Sequence, residues 1–459
     1  MSLALEIARR ANALDPDSFS RTARETAKVA IADMLGCALA GAPESTTALA
    51  LAGLAVGTVA GGCSVLGASE RLRPLDAALV NGTSGHALDF DDTSKSLAGH
   101  PTVIIVPAAL ALAEQQDLTG KDLLDAYIVG VETATRIARG VNFHHYEKGW
   151  HPTATLGIFG AAAACGRLLK LDDQALATAL SLCVSFASGV KSNFGSQTKP
   201  LHAGLAARNG LFAALLASEG FDASPVAFEH PQGFLEVFNG AGNYDAQRML
   251  EGWAAPLDLD GPGISIKKYA CVYSVHGAVD AALAIAGEHR IEASQIAKVT
   301  VTMHRRRLLP HVMRKAENPL DAKFSLQYAV ARALVDGRVS LEHFEGTAYR
   351  DPHVRAAMER IETQAHDDDS NDYGATVSVR LKDGTALEHS VPAPLGRGPE
   401  IPLPLPMLRA KFEDCARRSL DAAQVGPLFD RLVTLEAQPS VRDLAISMTS
   451  SRAALSAAA

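Results

Sequence analysis

Four polar stretches, set among apolar and small residues, carry the side chains that could do chemistry. The first runs Asn81-Gly82-Thr83-Ser84-Gly85-His86-Ala87-Leu88-Asp89-Phe90-Asp91-Asp92-Thr93 and continues to Gly99-His100-Pro101-Thr102. Its clustered acids repel one another unless a positive charge or a helix N-terminus faces them. Taken alone, they read as an acidic loop that ends a helix. The second stretch, Gly149-Trp150-His151-Pro152-Thr153-Ala154-Thr155, sets a histidine and an aromatic ring just before a glycine–alanine run. By itself it fits a helix cap with a satisfied core histidine equally well. The third, from Lys191-Ser192-Asn193-Phe194 through Lys199-Pro200-Leu201-His202 to Gly204, lies between two apolar segments. Burying it is costly unless it lines a wet or liganded pocket, and the plain alternative is an exposed loop. The fourth is Lys267-Lys268-Tyr269-Ala270-Cys271, followed by His276. A lysine pair there is ordinarily solvated, although clefts between domains often hold small molecules.

Brought together, Lys199, Lys267, His100 and His151 with the acids of 89–92 would form a cationic, imidazole-rich cluster. Such a cluster suits a multiply anionic carboxylate. It also stabilises the negative charge that develops when a carbon beside a carboxylate loses a proton or CO2, with a histidine or tyrosine moving the proton.

Other chemistries find no foothold. The chain has no GxxxxGK[ST], no GxGxxG after a strand, no HExxH and no GxSxG. The six cysteines stand alone without a CxxC, a reduced pattern that argues against both a disulfide framework and an iron–sulfur cluster. His144 and His145 are adjacent, so they point apart on a helix or strand and read as part of a polar loop. A net charge of −8 offers no basic footprint for nucleic acid. The N-terminus meets Glu6 before an apolar run can form, so no signal peptide is read and a cytoplasmic location is expected. Between Ser45 and Ser69 no charge occurs, and Gly53, Gly57 and Gly61 form a double GxxxG. Its many small and hydroxylated residues are too polar for a membrane span, so a soluble helix entering a glycine-rich turn is expected.

The positioning elements follow from periodicity. Residues 121–139 place Leu123, Leu124, Tyr127, Ile128, Val131 and Ile137 on one stripe, with Thr119 and Asp122 as a start signal and Gly140 as a stop. Further helices are predicted at 20–40, 46–58, 74–88, 103–116, 153–169, 172–188 and 203–219, packed closely through small residues. The character changes near Gly261-Pro262-Gly263. Beyond it come a helix at 274–288, an alternating strand at 296–304 and a helix at 321–336. Two alternating runs, 375–381 and 386–391, flank the hairpin signal Asp383-Gly384. A proline-rich connection leads to a last helical piece at 407–435, and the tail from Thr449 is expected to fray.

The runs NGTSGHALDFDDT…GHPT, GWHPTATLGIFGAAAA, SNFGSQTKPLHAGLAARNG and IKKYACVYSVH, in that order, resemble the MmgE/PrpD family over roughly residues 5–435. That family includes 2-methylcitrate dehydratase, cis-aconitate decarboxylase and iminodisuccinate epimerase. The resemblance implies a mainly α protein: a large multihelical domain of residues 1–263 and 398–459, with a smaller α+β lid, 264–397, inserted. It further implies a homodimer that needs no metal or organic cofactor and acts on a small di- or tricarboxylate. On the matching motifs, Asp89, His100, His151, Lys199, Lys267 and Tyr328 are the implied catalytic residues. Thr93, Asp92, Lys199, Lys267 and His202 are the implied substrate contacts.

Two departures bear on the reaction. The stretch Ser94–Gly99 lacks the tryptophan–histidine pair associated with the decarboxylase, and Ala270 stands where the family has proline. The third stretch is closer to the epimerase. The leading expectation is a dehydratase-type lyase on a 2-methylcitrate-like hydroxy acid. The alternatives are an iminodisuccinate-like epimerase, a cis-aconitate-type decarboxylase and a non-catalytic carboxylate-binding protein.

Overall fold

The computed structural model describes residues 2–54, 59–289, 291–308, 312–313 and 315–450. The chain is mainly α-helical and divides into two compact units. One comprises Met1–Ile266, Gly398–Glu400 and Pro404–Ala459; the other comprises Lys267–Arg397 and Ile401–Leu403.

In the first unit, local signals start the helices and burial of small residues packs them. The helix Arg21–Gly41 begins at Ser20, whose Oγ accepts the Ala23 N–H, and it is buried along most of its length. The helix Gly120–Arg139 has the expected capping box between Thr119 and Asp122 and ends at Gly140. Two crossings then set the site. The helix Pro74–His86 crosses the helix Thr198–Ser218 at glycines: a Cβ on Gly204 would sit 2.2 Å from the Leu79 carbonyl oxygen, and one on Gly82 would sit 2.9 Å from the Gly204 Cα. Backbones this close carry the end of one helix to the start of the other. The C-terminal helix Leu405–Ala416 packs on Arg21–Gly41, with Phe412 over Gly36, and two short antiparallel pairs complete the unit.

Several boundaries differ from the expectation. The helix read as 203–219 starts at Thr198, which makes Lys199 and His202 first- and second-turn residues. Pro200 is compatible with this start, because a proline in the first turn lacks only an N–H that has no helical partner there. The helix read as 153–169 divides into Pro152–Thr155 and Gly157–Leu168, where Gly157 lies against Ile104. The piece read as 407–435 divides into Leu405–Ala416 and Ala422–Val433, because Asp421 opens a new capping box with Gln424. The helix expected at 46–58 is described as Ser45–Leu54; residues 55–58, Gly57 among them, lie outside the described residues, as do 451–459 of the tail. Among the described residues no helix is long and apolar enough to cross a membrane.

The second unit is α+β. Its sheet runs in the order Ile361–His366, Ile296–His304, Ala375–Leu381, Ala386–Val391; the first pair is parallel and the others antiparallel. The hairpin forms at the expected place, with Gly384 at φ +91° and the Asp383 carboxylate accepting the Thr385 N–H. Val377 and Val379 are buried on the strand that packs against the helix His276–Glu288, and Val299, Val301 and Met303 are buried on the neighbouring strand. The edge strand Ile361–His366 was not anticipated, because four of its six residues are polar and the apolar alternation is missing.

Candidate active site

The site of the first unit is built on the end of the Pro74–His86 helix. Past His86 the chain turns sharply, with Asp89 in the left-handed region at φ +53°, an unusual conformation for a residue with a side chain. The turn is held from behind by the buried Lys411, whose ammonium group donates to the Phe90 carbonyl (2.9 Å) and pairs with Asp33 (2.5 Å). The three acids are thereby sent in different directions.

Asp89 meets Lys199, Nζ to Oδ1 3.0 Å, and the same oxygen lies 3.9 Å from Nε2 of His100. Asp91 is fully buried between two imidazoles: Nδ1 of His86 lies 2.9 Å from each of its oxygens, and Nδ1 of His100 lies 3.3 Å from Oδ2. Burial opposes its ionisation, yet the facing His86 and His100 hold its carboxyl well below the usual range. Asp92, also buried, accepts from the Thr102 hydroxyl, which in turn bonds the Tyr127 hydroxyl at 2.7 Å. Burial pushes the Asp92 carboxyl well above the usual carboxylate range. Thr93 is half-buried and donates to the Gly99 carbonyl.

The imidazoles form a chain. His86 meets His100 edge-on at 4.6 Å and stacks near His151 at 6.0 Å. His151 and His202 bring their Nδ1 atoms to 3.2 Å, and Phe194 sits edge-on to His151 at 4.8 Å. Burial lowers the pKa of His151 and His202, and that of His86 to about 4 even with Asp91 beside it, so these rings are neutral near pH 7. Lys199 also lies 5.4 Å over the Phe194 ring.

The loop before His151 is anchored by a second aromatic group. Trp150 donates its indole N–H to the Phe238 carbonyl, and the His151 N–H bonds the Gly189 carbonyl. His144 and His145 form a one-turn helix rather than a polar loop, and both rings bond Asn239, His144 at its carbonyl and His145 at its side chain. His145 is buried, with Nδ1 on Asn239 and Nε2 on Thr155.

Of the residues singled out from the sequence, Asp89, His100, His151, Lys199 and His202 thus meet around one cluster. Lys267 and Tyr328 belong to the second unit. Lys267 is buried there, and neighbouring Lys268 and Tyr269 both bond Asp280. Tyr328 is fully buried; its hydroxyl donates to the His343 carbonyl and accepts from Arg332.

His86 had not been singled out, and Asp91 had been counted only among the clustered acids with no role of its own, although both stand inside the first motif. Only the five-residue interval between them, spanning a tight turn, could have signalled the pairing. Donor atoms of His86, Asp89, Asp91 and His100 lie within 4.8 Å of one another, a spacing able to hold a metal ion. The donor set does not favour one. Both Nδ1 atoms face oxygen acceptors and so carry protons, and Lys199 already supplies the cation at Asp89.

The mainly helical first unit thus gathers carboxylates, imidazoles and a lysine from separate elements. The MmgE/PrpD N-terminal domain matches residues 5–247 and the MmgE/PrpD C-terminal domain matches 269–432; the chain belongs to the MmgE/PrpD family. Among its relatives, the cis-aconitate decarboxylase of Aspergillus terreus is 29% identical over 94% of this chain and 92% of its own length. The cis-aconitate decarboxylase of Homo sapiens is 29% identical over 69% of this chain and 67% of its own. The 2-methylcitrate dehydratase of Cupriavidus necator is 27% identical over 87% of each.

Proposed function

We propose that the chain is a lyase acting on a small di- or tricarboxylic hydroxy acid, of which a 2-methylcitrate-like compound is the model. The observation that carries the reading is the convergence of a cation, a carboxylate and an imidazole at one oxygen, Oδ1 of Asp89. Lys199 supplies positive charge for a substrate carboxylate, which competes with Asp89 for it. His100, with its proton on Nδ1, offers the Nε2 lone pair to the hydrogen on the adjacent carbon. The electron pair from that C–H bond forms the double bond, and the β-hydroxyl leaves and is protonated to water. The proton that the leaving hydroxyl takes is the one His100 removed from carbon, now carried on its imidazolium, so the step balances within one residue. Charge developing on the substrate carboxylate is met by Lys199 in a site largely closed to water.

Decarboxylation is the second reading, and the relatives named cis-aconitate decarboxylase favour it at 29% identity. There the carbon–carbon bond breaks, CO2 leaves, and an imidazolium returns a proton to the carbon left with the electron pair. Incubating the purified chain with hydroxy-polycarboxylates should raise absorbance in the enoate band. Release of CO2 from cis-aconitate without that signal would favour the second reading. Solvent deuterium entering an unchanged substrate would move the case to an epimerase. Binding without any turnover would defeat the enzyme assignment.

A further inference from the structure

His86 is not needed for the reaction as drawn, yet its setting is unusual. The ring is 1% exposed, Nδ1 is shared between both oxygens of Asp91, and Nε2 is buried without a hydrogen-bond partner among the described residues. An unmet buried polar atom is a cost to the fold, so the ring is kept in spite of its Nε2 and not because of it. What the ring does provide is a single N–H aimed at Asp91.

Asp91 faces His100 on its other side. At Nδ1 of His100 two acceptors converge, the Asp91 carboxylate at 3.3 Å and the Asp92 carbonyl at 2.5 Å. Two acceptors at one ring nitrogen place the proton there and leave the opposite nitrogen as a lone pair. That opposite nitrogen is the one facing the Asp89–Lys199 pair.

We propose that His86 is a positioning residue: its Nδ1–H holds the Asp91 carboxylate in place, and Asp91 in turn fixes the tautomer and direction of His100 so that Nε2 meets the substrate. The inference rests on the reading of His100 as the proton-moving group. The groups bearing on His100 are His86, Asp89 and Asp91 directly, with Lys199 and His151 around the same cluster.

The test uses the full chain and three variants. His86→Ala removes the donor, His86→Asn keeps an N–H near the Nδ1 position, and His86→Gln moves it toward the Nε2 position. In His86→Ala, kcat should fall on the order of 100-fold with KM little changed, and the limb of the pH–kcat profile set by His100 should shift. His86→Asn should recover most of the loss and His86→Gln little of it. A second readout needs no turnover: 15N NMR of labelled histidines, with His100 assigned by its loss in His100→Asn. It should report a proton on Nδ1 in the wild type and a mixture of tautomers in His86→Ala.

An unchanged tautomer and unchanged kcat in His86→Ala would overturn the proposal, as would equal activity of the Asn and Gln variants. So would a stoichiometric divalent ion that the wild type retains and His86→Ala loses, since the ring would then be a ligand. If the wild type turns over no carboxylate, the function reading fails and the NMR comparison still decides the positioning role. If the Ala variant does not fold, the Asn and Gln pair decides it.

Discussion

The ammonium nitrogen of Lys199 lies 3.0 Å from Oδ1 of Asp89, so the positive charge that would bind an anionic substrate is held in place by a carboxylate. A bound substrate carboxylate therefore enters an exchange of partners at Lys199. On the proposed reading, Asp89 would orient the lysine before binding and could bond an incoming hydroxyl or His100 afterwards.

Replacing Lys199 by Met keeps the length of the side chain and removes its charge. Losing a charged partner for the substrate carboxylate costs about 1.5–3 kcal/mol of binding, so kcat/KM should fall on the order of 100-fold. Thermal stability should change little, because the residue lies in the first turn of its helix at the edge of the core. Wild-type kcat/KM in Lys199→Met, measured on the substrate that turns over, would remove the lysine from the mechanism.

The histidines predict a direction for acid sensitivity. His86, and with it His151 and His202, have lower pKa values folded than unfolded, His86 falling from 6.5 to about 4. Between those values the unfolded chain binds more protons, so stability is complete above pH 6.5 and declines as pH falls toward 4. For His86 alone the loss is at most about 3 kcal/mol. Asp91, held low, adds a further loss only below the ordinary carboxylate range. Denaturant unfolding at pH 7 and pH 5 should show lower stability at pH 5, with a smaller difference in His86→Asn. Equal stability at both values would contradict the buried neutral state of these rings.

The helix crossing at Gly204 should tolerate no side chain. A Cβ there would lie 2.2 Å from the Leu79 carbonyl oxygen and 2.3 Å from the Thr83 hydroxyl, both on the helix that ends in His86. Gly204→Ala should cost about 3 kcal/mol and separate Lys199 and His202 from the turn at Asp89. Activity should therefore fall even in the fraction that remains folded. A melting temperature within a degree of the wild type would show that the helices part at no cost.

Lys411 should behave as a structural cation. Lys411→Met leaves Asp33 buried without its counter-charge and the Phe90 carbonyl without its donor, a loss on the order of 3–5 kcal/mol. The double variant Lys411→Met with Asp33→Leu should regain much of it. Calorimetry of the two variants against the wild type checks both statements.

Much of the architecture could be read from the chain alone, wherever a signal is local. The capping box at Thr119 and Asp122, the stripe along 121–139 and the Asp383-Gly384 hairpin depend on residues a few positions apart, and each forms where expected. Motif order was likewise enough to single out Asp89, His100, His151, Lys199 and His202. What the residues could not reveal was the division of labour among Asp89, Asp91 and Asp92, three chemically identical groups in one short run. A left-handed turn at Asp89, a lysine from the C-terminal helix and a glycine crossing between distant helices send one acid to a lysine, one to two imidazoles and one into the core. Charge state and partner are set by burial and distance, which are properties of the packed chain. Pattern could therefore name the participants, and only packing assigned their roles.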